Sequence, residues 1–243
     1  MFSFKRNILQ AGLLNGMTDI HSHLLPGVDD GMKSEEDSLK ALMYMSSIGV
    51  ERIFLTPHVM SDLRENTPAR LRAVFERFAA NCPYRIKMRL AAEYMLDADF
   101  AAKMQDGLLT MGDRHVLVET SYLSPPPGLT DMLYELTVSG YKPIIAHPER
   151  YMYMQEETYY RLRNQGYMFQ LNLFSLIGAY GHTPQKKALS LLKQGLYDFT
   201  GSDVHHLRSY RNAIGACSLS RRQRKELEQL LHNNTMLWDE SAC

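Results

Sequence analysis

Seven short apolar runs punctuate this chain, and each ends in a histidine, a carboxylate or an amide. Reading β-branched and aliphatic stretches as buried strands places them at residues 18–24, 52–58, 89–95, 115–120, 143–149, 168–174 and 196–205. Their late positions carry His21 and His23, then His58, Glu93, Glu119, His147 followed by Glu149 and Arg150, Asn172, and finally Asp203 and His205. In an α/β barrel the carboxyl ends of all strands converge on one face, so groups remote in sequence become neighbours there. The pattern predicts such a barrel with its chemistry on that face.

The spacers agree. Ser34-Glu35-Glu36-Asp37 resembles a capping box, and Thr67-Pro68 and Thr183-Pro184 each place a hydroxyl N-cap before a proline at the first helical position. Gly49, Gly140, Gly166 and Gly195 fall where a left-handed residue should end a helix before the next strand. Repeated strand, helix, glycine units imply parallel strands with right-handed crossovers. About seven units are present, one short of the common eight-fold barrel.

At 243 residues and 45% hydrophobic content the chain suits one barrel domain, residues 18–243, preceded by an extension, 1–17. The extension opens with Lys5 and Arg6, but Asn7, Gln10, Gly12 and Asn15 interrupt any apolar core. It is therefore read as part of the mature protein, covering the barrel floor, not as a signal peptide. Pro125-Pro126-Pro127-Gly128 reads as a rigid loop after the fourth strand.

With 27 basic and 27 acidic residues, bulk electrostatics favours neither nucleic acid nor an anionic membrane as partner. The basic run Arg221, Arg222, Arg224 and Lys225 is read as the solvated face of a last helix, and no stretch is apolar enough for membrane insertion. Cys82, Cys217 and Cys243 are too few and scattered for a disulfide framework or a thiolate zinc site, which points to a reducing, cytoplasmic setting.

Residues two apart on a strand share a face, so His21 and His23 can grip one cation together, as can Asp203 and His205. Either pair alone is weak evidence. Together they are stronger, because a barrel sets its first and last strands side by side. A single strand-end histidine such as His58 or His147 is more often a hydrogen-bonded structural residue. Glu93 and Glu119 end apolar strands, where a carboxylate is costly unless paired or metal-bound; the structural alternative is a salt bridge to Arg89 or Arg114. For Asn172 a structural hydrogen bond is the favoured reading. Imidazole and carboxylate without thiolate suit manganese, iron or zinc, and more donors than one ion needs suggest a cluster of the kind that drives phosphoryl displacement. Arg150, three residues after His147, offers a fork of donors for phosphate oxygens, with Arg208 and Arg211 as further candidates.

The stretch from Asp19 to Gly31, Asp-Ile-His-Ser-His-Leu-Leu-Pro-Gly-Val-Asp-Asp-Gly, is followed by Thr56-Pro57-His58, Ala92-Glu93, His147-Pro148-Glu149-Arg150 and Ser202-Asp203-Val204-His205. These motifs resemble the polymerase and histidinol phosphatase (PHP) superfamily, and within it the bacterial manganese-dependent protein-tyrosine phosphatases of capsule and exopolysaccharide regulation. The resemblance implies a distorted (β/α)7 TIM-like barrel of PHP fold. It also implies metal ligands His21, His23, Asp30, His58, Glu93, Glu119, His147, Asp203 and His205. Two or three Mn2+ ions would be held, with Fe or Zn as alternatives. Arg150 matches the phosphate-binding arginine, Arg208 or Arg211 would supply a second, and a group near His205 could protonate the leaving tyrosine. The implied partner is a phosphotyrosine-bearing protein, a bacterial tyrosine autokinase. No cysteine stands at a Cys-x5-Arg spacing, which disfavours a thiolate mechanism. Two rival readings stay open: a small-molecule phosphoesterase such as a histidinol phosphatase, and a noncatalytic metal-bound regulatory module.

Overall fold

The chain was analysed as a computed structural model that describes residues 5–240; Cys243 and the first four residues of the N-terminal extension lie outside the described residues. In order, the elements are β1 (Arg6–Asn7), β2 (Met17–Asp19), α1 (Glu35–Ser47), β3 (Val50–Leu55), β4 (His58–Val59), α2 (Pro68–Ala80), β5 (Lys87–Leu90), β6 (Glu93–Met95), α3 (Phe100–Gln105) and β7 (His115–Glu119). They continue with α4 (Leu129–Val138), β8 (Lys142–Ala146), α5 (Glu156–Asn164), β9 (Met168–Asn172), α6 (His182–Lys193), β10 (Phe199–Gly201), α7 (Leu207–Ala216), β11 (Ser218–Leu219) and α8 (Arg221–Glu240).

The strands form a distorted (β/α)7 barrel. One parallel sheet runs β10-β9-β8-β7-β6-β4 and a second runs β2-β3-β5. The two are halves of one wall, because β4 prolongs β3 past Thr56-Pro57 and β6 prolongs β5 past Ala91-Ala92. Hydrogen bonds from Ala91 N to Leu55 O (2.9 Å) and from Glu93 N to Pro57 O (3.1 Å) carry the pairing through the break. Pro57 has no N–H to give, so the ladder is interrupted at its position. The second and third expected strands are thus each split in two.

Closure falls between β2 and β10. Past the ends of these strands, Asp203 N donates to His21 O (2.8 Å) and His23 N to Val204 O (2.9 Å), with Ser22 bridging Val204 in parallel. Lower down, the wall is joined by a side chain. Asn234 of α8, fully buried, donates to Thr18 O (2.8 Å) and Thr200 O (2.7 Å) and accepts from Thr200 N (3.2 Å). Its amide does what a peptide group of a missing strand would do.

The barrel interior is apolar and is filled partly from outside the barrel. Ile20, Phe54, Ala91, Leu117, Ile144 and Phe199 cluster with Leu237 and Trp238 of α8. The Trp238 ring meets Phe54 edge-on at 5.0 Å, while the Arg89 guanidinium lies 4.1 Å over it and donates to the Trp238 carbonyl. The larger core lies between wall and helices and takes in Ile8, Leu13 and Leu14 ahead of β2. There β1 pairs antiparallel with β11, and Gly16 N donates to Gly49 O at the strand N-terminal end.

Ser34 and Thr67 cap α1 and α2 as the sequence predicts, accepting from Asp37 N and Arg70 N. The third expected cap is displaced: α6 begins at His182 with Gly181 as its N-cap, so Pro184 stands at the third helical position. Its missing N–H costs nothing there, since first-turn donors lack intrahelical acceptors. Gly49, Gly140, Gly166 and Gly195 all have positive φ. Arg222 on α8 pairs with Glu226 on the exposed helix face. Among the described residues Cys82 and Cys217 are free, and no helix is long and apolar enough to cross a membrane.

Candidate metal centre

The strand ends bring the predicted donors to one cavity of about 460 Å³, lined among others by Asp30, His58, Glu93, His147, Arg150, Asp203 and His205. Deepest are His21, His23, Glu93 and Asp203, all buried. His21 Nε2 stands 3.2 Å from His23 Nε2, 3.2 Å from Glu93 Oε2 and 3.4 Å from Asp203 Oδ1; His23 Nε2 is 3.3 Å from each of those carboxylate oxygens. The centre of a tetrahedron with such edges lies roughly 2 Å from each corner, which is the length of a metal bond to imidazole nitrogen or carboxylate oxygen. Four polar atoms converge at cation-ligand spacing.

The surrounding hydrogen bonds orient these rings for that use. His21 Nδ1 meets Gln170 Oε1 (2.9 Å), His23 Nδ1 meets the buried Asp29 Oδ2 (2.9 Å), and His205 Nδ1 meets the carbonyl of Asp203 (2.9 Å). Each partner is an acceptor, so Nδ1 carries a proton and Nε2 is the nitrogen left to face a cation. Asp29 also accepts from the backbone N–H groups of Gly31 and His58, tying the first motif to the second. Sequence reasoning singled out Asp30 and missed Asp29 and Gln170 as orienting groups.

Two further donor groups adjoin the first. His58, Glu93 and Glu119 form one, with His58 Nδ1 at 3.2 Å from Glu93 Oε2 and 3.0 Å from Glu119 Oε1. His23, Asp30, His58 and His205 form the other, in which Asp30 Oδ1 lies 3.3 Å from His205 Nε2 and 3.5 Å from His58 Nε2. Asp30 is 71% exposed and marks the outer mouth. His147 Nε2 joins the cluster through Glu93 Oε1 at 3.0 Å. Neither glutamate meets the arginine considered for it: Arg89 is engaged at Trp238, and Arg114 donates to Ser139 O and lies over Tyr141. Instead His58 Nδ1 sits at ion-pair distance from Glu93 Oε2 and Glu119 Oε1 without hydrogen-bond geometry, and all three atoms, with His147 Nδ1, are buried with no well-formed hydrogen bond. Such groups are costly unless a cation or polar ligand satisfies them, so the donor set fits metal ions.

Two glycines let the wall approach this cluster. A Cβ on Gly31 would sit 2.1 Å from the His23 carbonyl oxygen, and one on Gly201 would sit 2.5 Å from His21 Cβ. His147 and Asp203 adopt left-handed backbone, with φ of 32° and 53°. Strain of this kind gathers at functional sites.

Arg150 stands beside the deepest group. Its Nη1 donates to Asp203 Oδ2 (2.8 Å), an oxygen that also accepts from Asn172 Nδ2 (2.9 Å), in keeping with the structural bond expected of Asn172. Arg208 and Arg211 do not join it. His206, Ser209, Tyr210 and Ala213 form the helical stripe of α7 that lines the cavity, which turns 208 and 211 off that face. Both are exposed, and Arg211 stacks on Tyr44 at 4.5 Å. Tyr122 and Tyr180 also line the cavity.

The charges are strongly coupled. Burial pushes Glu93 upward, but His21, His147 and His23 around it hold its carboxyl well below the ordinary range. Burial would lower His21, yet Glu93 and Asp203 raise it from 6.5 to about 9. In the metal-free protein this ring therefore keeps a proton on Nε2 that an entering cation must displace. A raised folded-state pKa stabilises the metal-free fold fully below about 6.5, and that contribution is lost as pH rises through about 9. Saturating divalent metal is thus expected to raise the melting temperature more at about pH 8.5 than at about pH 6, and metal uptake to release protons at about pH 7. Calorimetry in buffers of different ionisation enthalpy measures the release; pH-independent uptake without proton release would contradict the assignment.

Comparison with known proteins places the fold and site in context. The family described as Capsular polysaccharide synthesis, CpsB/CapC, matches residues 17–237. The tyrosine-protein phosphatase YwqE of Bacillus subtilis (strain 168) is 29% identical over 235 residues, 91% of each chain. The tyrosine-protein phosphatase CpsB of Streptococcus pneumoniae is 29% identical over 209 residues, 79% of this chain and 84% of that one. A crystal structure from work on B. subtilis YwqE and S. pneumoniae CpsB, described there as unique metal-dependent tyrosine phosphatases, superposes with a TM-score of 0.77. It is 24% identical and covers 92% of this chain and 95% of its own.

Proposed function

The chain belongs to the CpsB/CapC family of capsular polysaccharide synthesis, and from that premise we propose that it is a metal-dependent protein-tyrosine phosphatase. The carrying observation is the convergence of three His/carboxylate donor groups on one cavity with Arg150 at its side. Curated relatives over most of the chain's length are named tyrosine-protein phosphatases, which supports the same reading. We read residues 18–243 as one phosphatase domain with 1–17 as its extension. The substrate in this reading is a cytoplasmic, phosphotyrosine-bearing autokinase of capsular or exopolysaccharide synthesis.

His21, His23, Glu93 and Asp203 would hold one ion, His58, Glu93 and Glu119 with His147 a second, and Asp30 with His205 a third at the mouth. Two or three Mn2+ ions are the proposed complement, with Fe or Zn compatible with the same donors. Bound there, such ions supply Lewis acidity toward phosphate oxygens and a water acidified toward neutral pH. The remaining work falls to the chain. Arg150 leaves donors beyond the one given to Asp203, and these can fork onto non-bridging phosphate oxygens. His205 Nδ1 donates to the Asp203 carbonyl, which leaves Nε2, 3.3 Å from Asp30 Oδ1, as the atom that would share an ion with that carboxylate. The leaving phenolate, with a pKa near about 10, departs more easily than an alkoxide without that help. A thiolate route has no support: Cys217 is buried and its thiol is pushed up to about 12 by desolvation.

The test is phosphate release from a phosphotyrosyl peptide by metal-stripped protein titrated with manganese, beside histidinol phosphate and phosphoseryl peptide. Manganese-restored turnover selective for phosphotyrosine is expected. Preference for histidinol phosphate, or inactivity on all three despite bound metal, would overturn the reading.

A further inference from the structure

From the packed interior to the cavity wall, planar groups follow one another in a row. The rings of Tyr153 and Tyr151 stack at 5.9 Å and 16°, and those of Tyr151 and Tyr122 at 6.1 Å and 25°. Beyond Tyr122 comes the Arg150 guanidinium, whose Cζ lies over both the Tyr122 ring and the Tyr180 ring, 4.3 Å from each centroid. Two members of the row are braced by hydrogen bonds. Tyr180 OH accepts from Asn172 Nδ2 (3.0 Å), the same amide that holds Asp203, and Tyr151 OH accepts from Thr120 N (3.2 Å) at the end of β7.

A guanidinium held by one hydrogen bond can swing about that bond, because arginine has several free torsions and a single anchor fixes none of them. The bond to Asp203 is such an anchor. Two rings this close to Cζ restrict the remaining freedom: they limit the planes the guanidinium can take and favour its charge through their π clouds. A guanidinium limited in this way can keep an edge toward a ligand, the orientation in which it forks onto an oxyanion.

We infer that Tyr122 and Tyr180 are positioning residues that fix the plane of Arg150 for a bound phosphate dianion. This rests on the assignment of Arg150 to phosphate in the proposed function. It adds that a lysine could not replace the arginine, since an ammonium has no plane to hold.

The experiment measures binding of inorganic phosphate to the manganese-loaded full chain, and steady-state hydrolysis of para-nitrophenyl phosphate. Tyr122→Leu and Tyr180→Leu, which keep apolar bulk but remove the ring face, are each expected to weaken phosphate binding and raise KM by about tenfold with a smaller change in kcat. Tyr122→Phe should stay within about twofold of the parent, since stacking needs the ring and not the hydroxyl, whereas Tyr180→Phe, which also gives up the bond from Asn172, should fall between the parent and Tyr180→Leu. In an Arg150→Ala background the same Leu substitutions should cost nothing further, because residues acting through one partner are non-additive. Parental phosphate affinity in the Leu variants, or losses that persist undiminished without Arg150, would overturn the inference. Phosphate affinity unaltered by Arg150→Ala would overturn it together with the role given to Arg150. The binding arm reads out even if phosphotyrosine proves not to be the substrate, so the two failures are distinguishable.

Discussion

Asp203→Asn is expected to lower metal-dependent kcat/KM by at least about a thousandfold. The residue joins two parts of the site: Oδ1 faces His21 and His23 in the deepest donor group, and Oδ2 accepts from Arg150 and Asn172. An amide at this position has one oxygen for both tasks. If its nitrogen faces Arg150 it opposes two donors with a third; if it faces the histidines it removes an anionic ligand. Rates on an aryl phosphate, with metal content determined on the same sample, would test this. His21→Ala should behave alike, since it deletes one corner of the same group. Full activity in both variants would rule out the proposed centre. An unchanged melting temperature in the metal-free Asp203→Asn protein would show that the loss is chemical and not a failure to fold.

The second large effect lies at the opposite end of the barrel from the chemistry. Asn234→Ala removes a partner from two backbone carbonyls and one N–H in a fully buried setting. Stripping buried polar groups of a partner costs about 1–3 kcal/mol each, so a loss of about 3–5 kcal/mol is expected, lowering the melting temperature by roughly 6–20 °C. Denaturant unfolding of the two proteins at equal metal loading measures it. Asn234→Asp preserves the acceptor but not the donors and should fall in the same range. A shift below about 0.5 kcal/mol would mean that water or backbone relaxation seals the seam instead.

Much of this arrangement is legible in the sequence because the barrel turns linear pattern into spatial proximity. A polar residue at the end of an apolar run has one place to go, and His21, Glu93, His147 and Asp203 all arrive there. The breaks at Thr56-Pro57 and Ala91-Ala92 are less visible, since the apolar character continues through both and only the hydrogen-bond ladder stops. The pair Asp29-Asp30 shows another limit: Asp30 joins the outer donor group, while the part played by Asp29 has no mark in the sequence. Adjacent aspartates in a turn are equivalent as letters, but one turns inward to hold a histidine while its neighbour is mostly exposed. Arg208 and Arg211 were candidates on proximity in sequence to His205, and the register of α7 carries both off the cavity face. Gln170, Tyr180 and Asn234 had no pattern to reveal them: their partners lie on other elements, and a lone amide or phenol is common on any surface.

The closure by α8 also has a consequence for the order of events during biosynthesis. Ribosomes deliver β2 first and α8 last, and the first and final barrel strands meet along a boundary whose lower part is joined by Asn234 and filled beneath by Trp238. Contacts of such wide sequence separation form late, because a long loop must close before they can stabilise anything. His21 and Asp203 belong to the two sides of that boundary. Nascent chains lacking residues 234–238 should therefore hold histidines and carboxylates that are individually competent but not yet assembled, so a high-affinity cation is captured after translation of this region and not before.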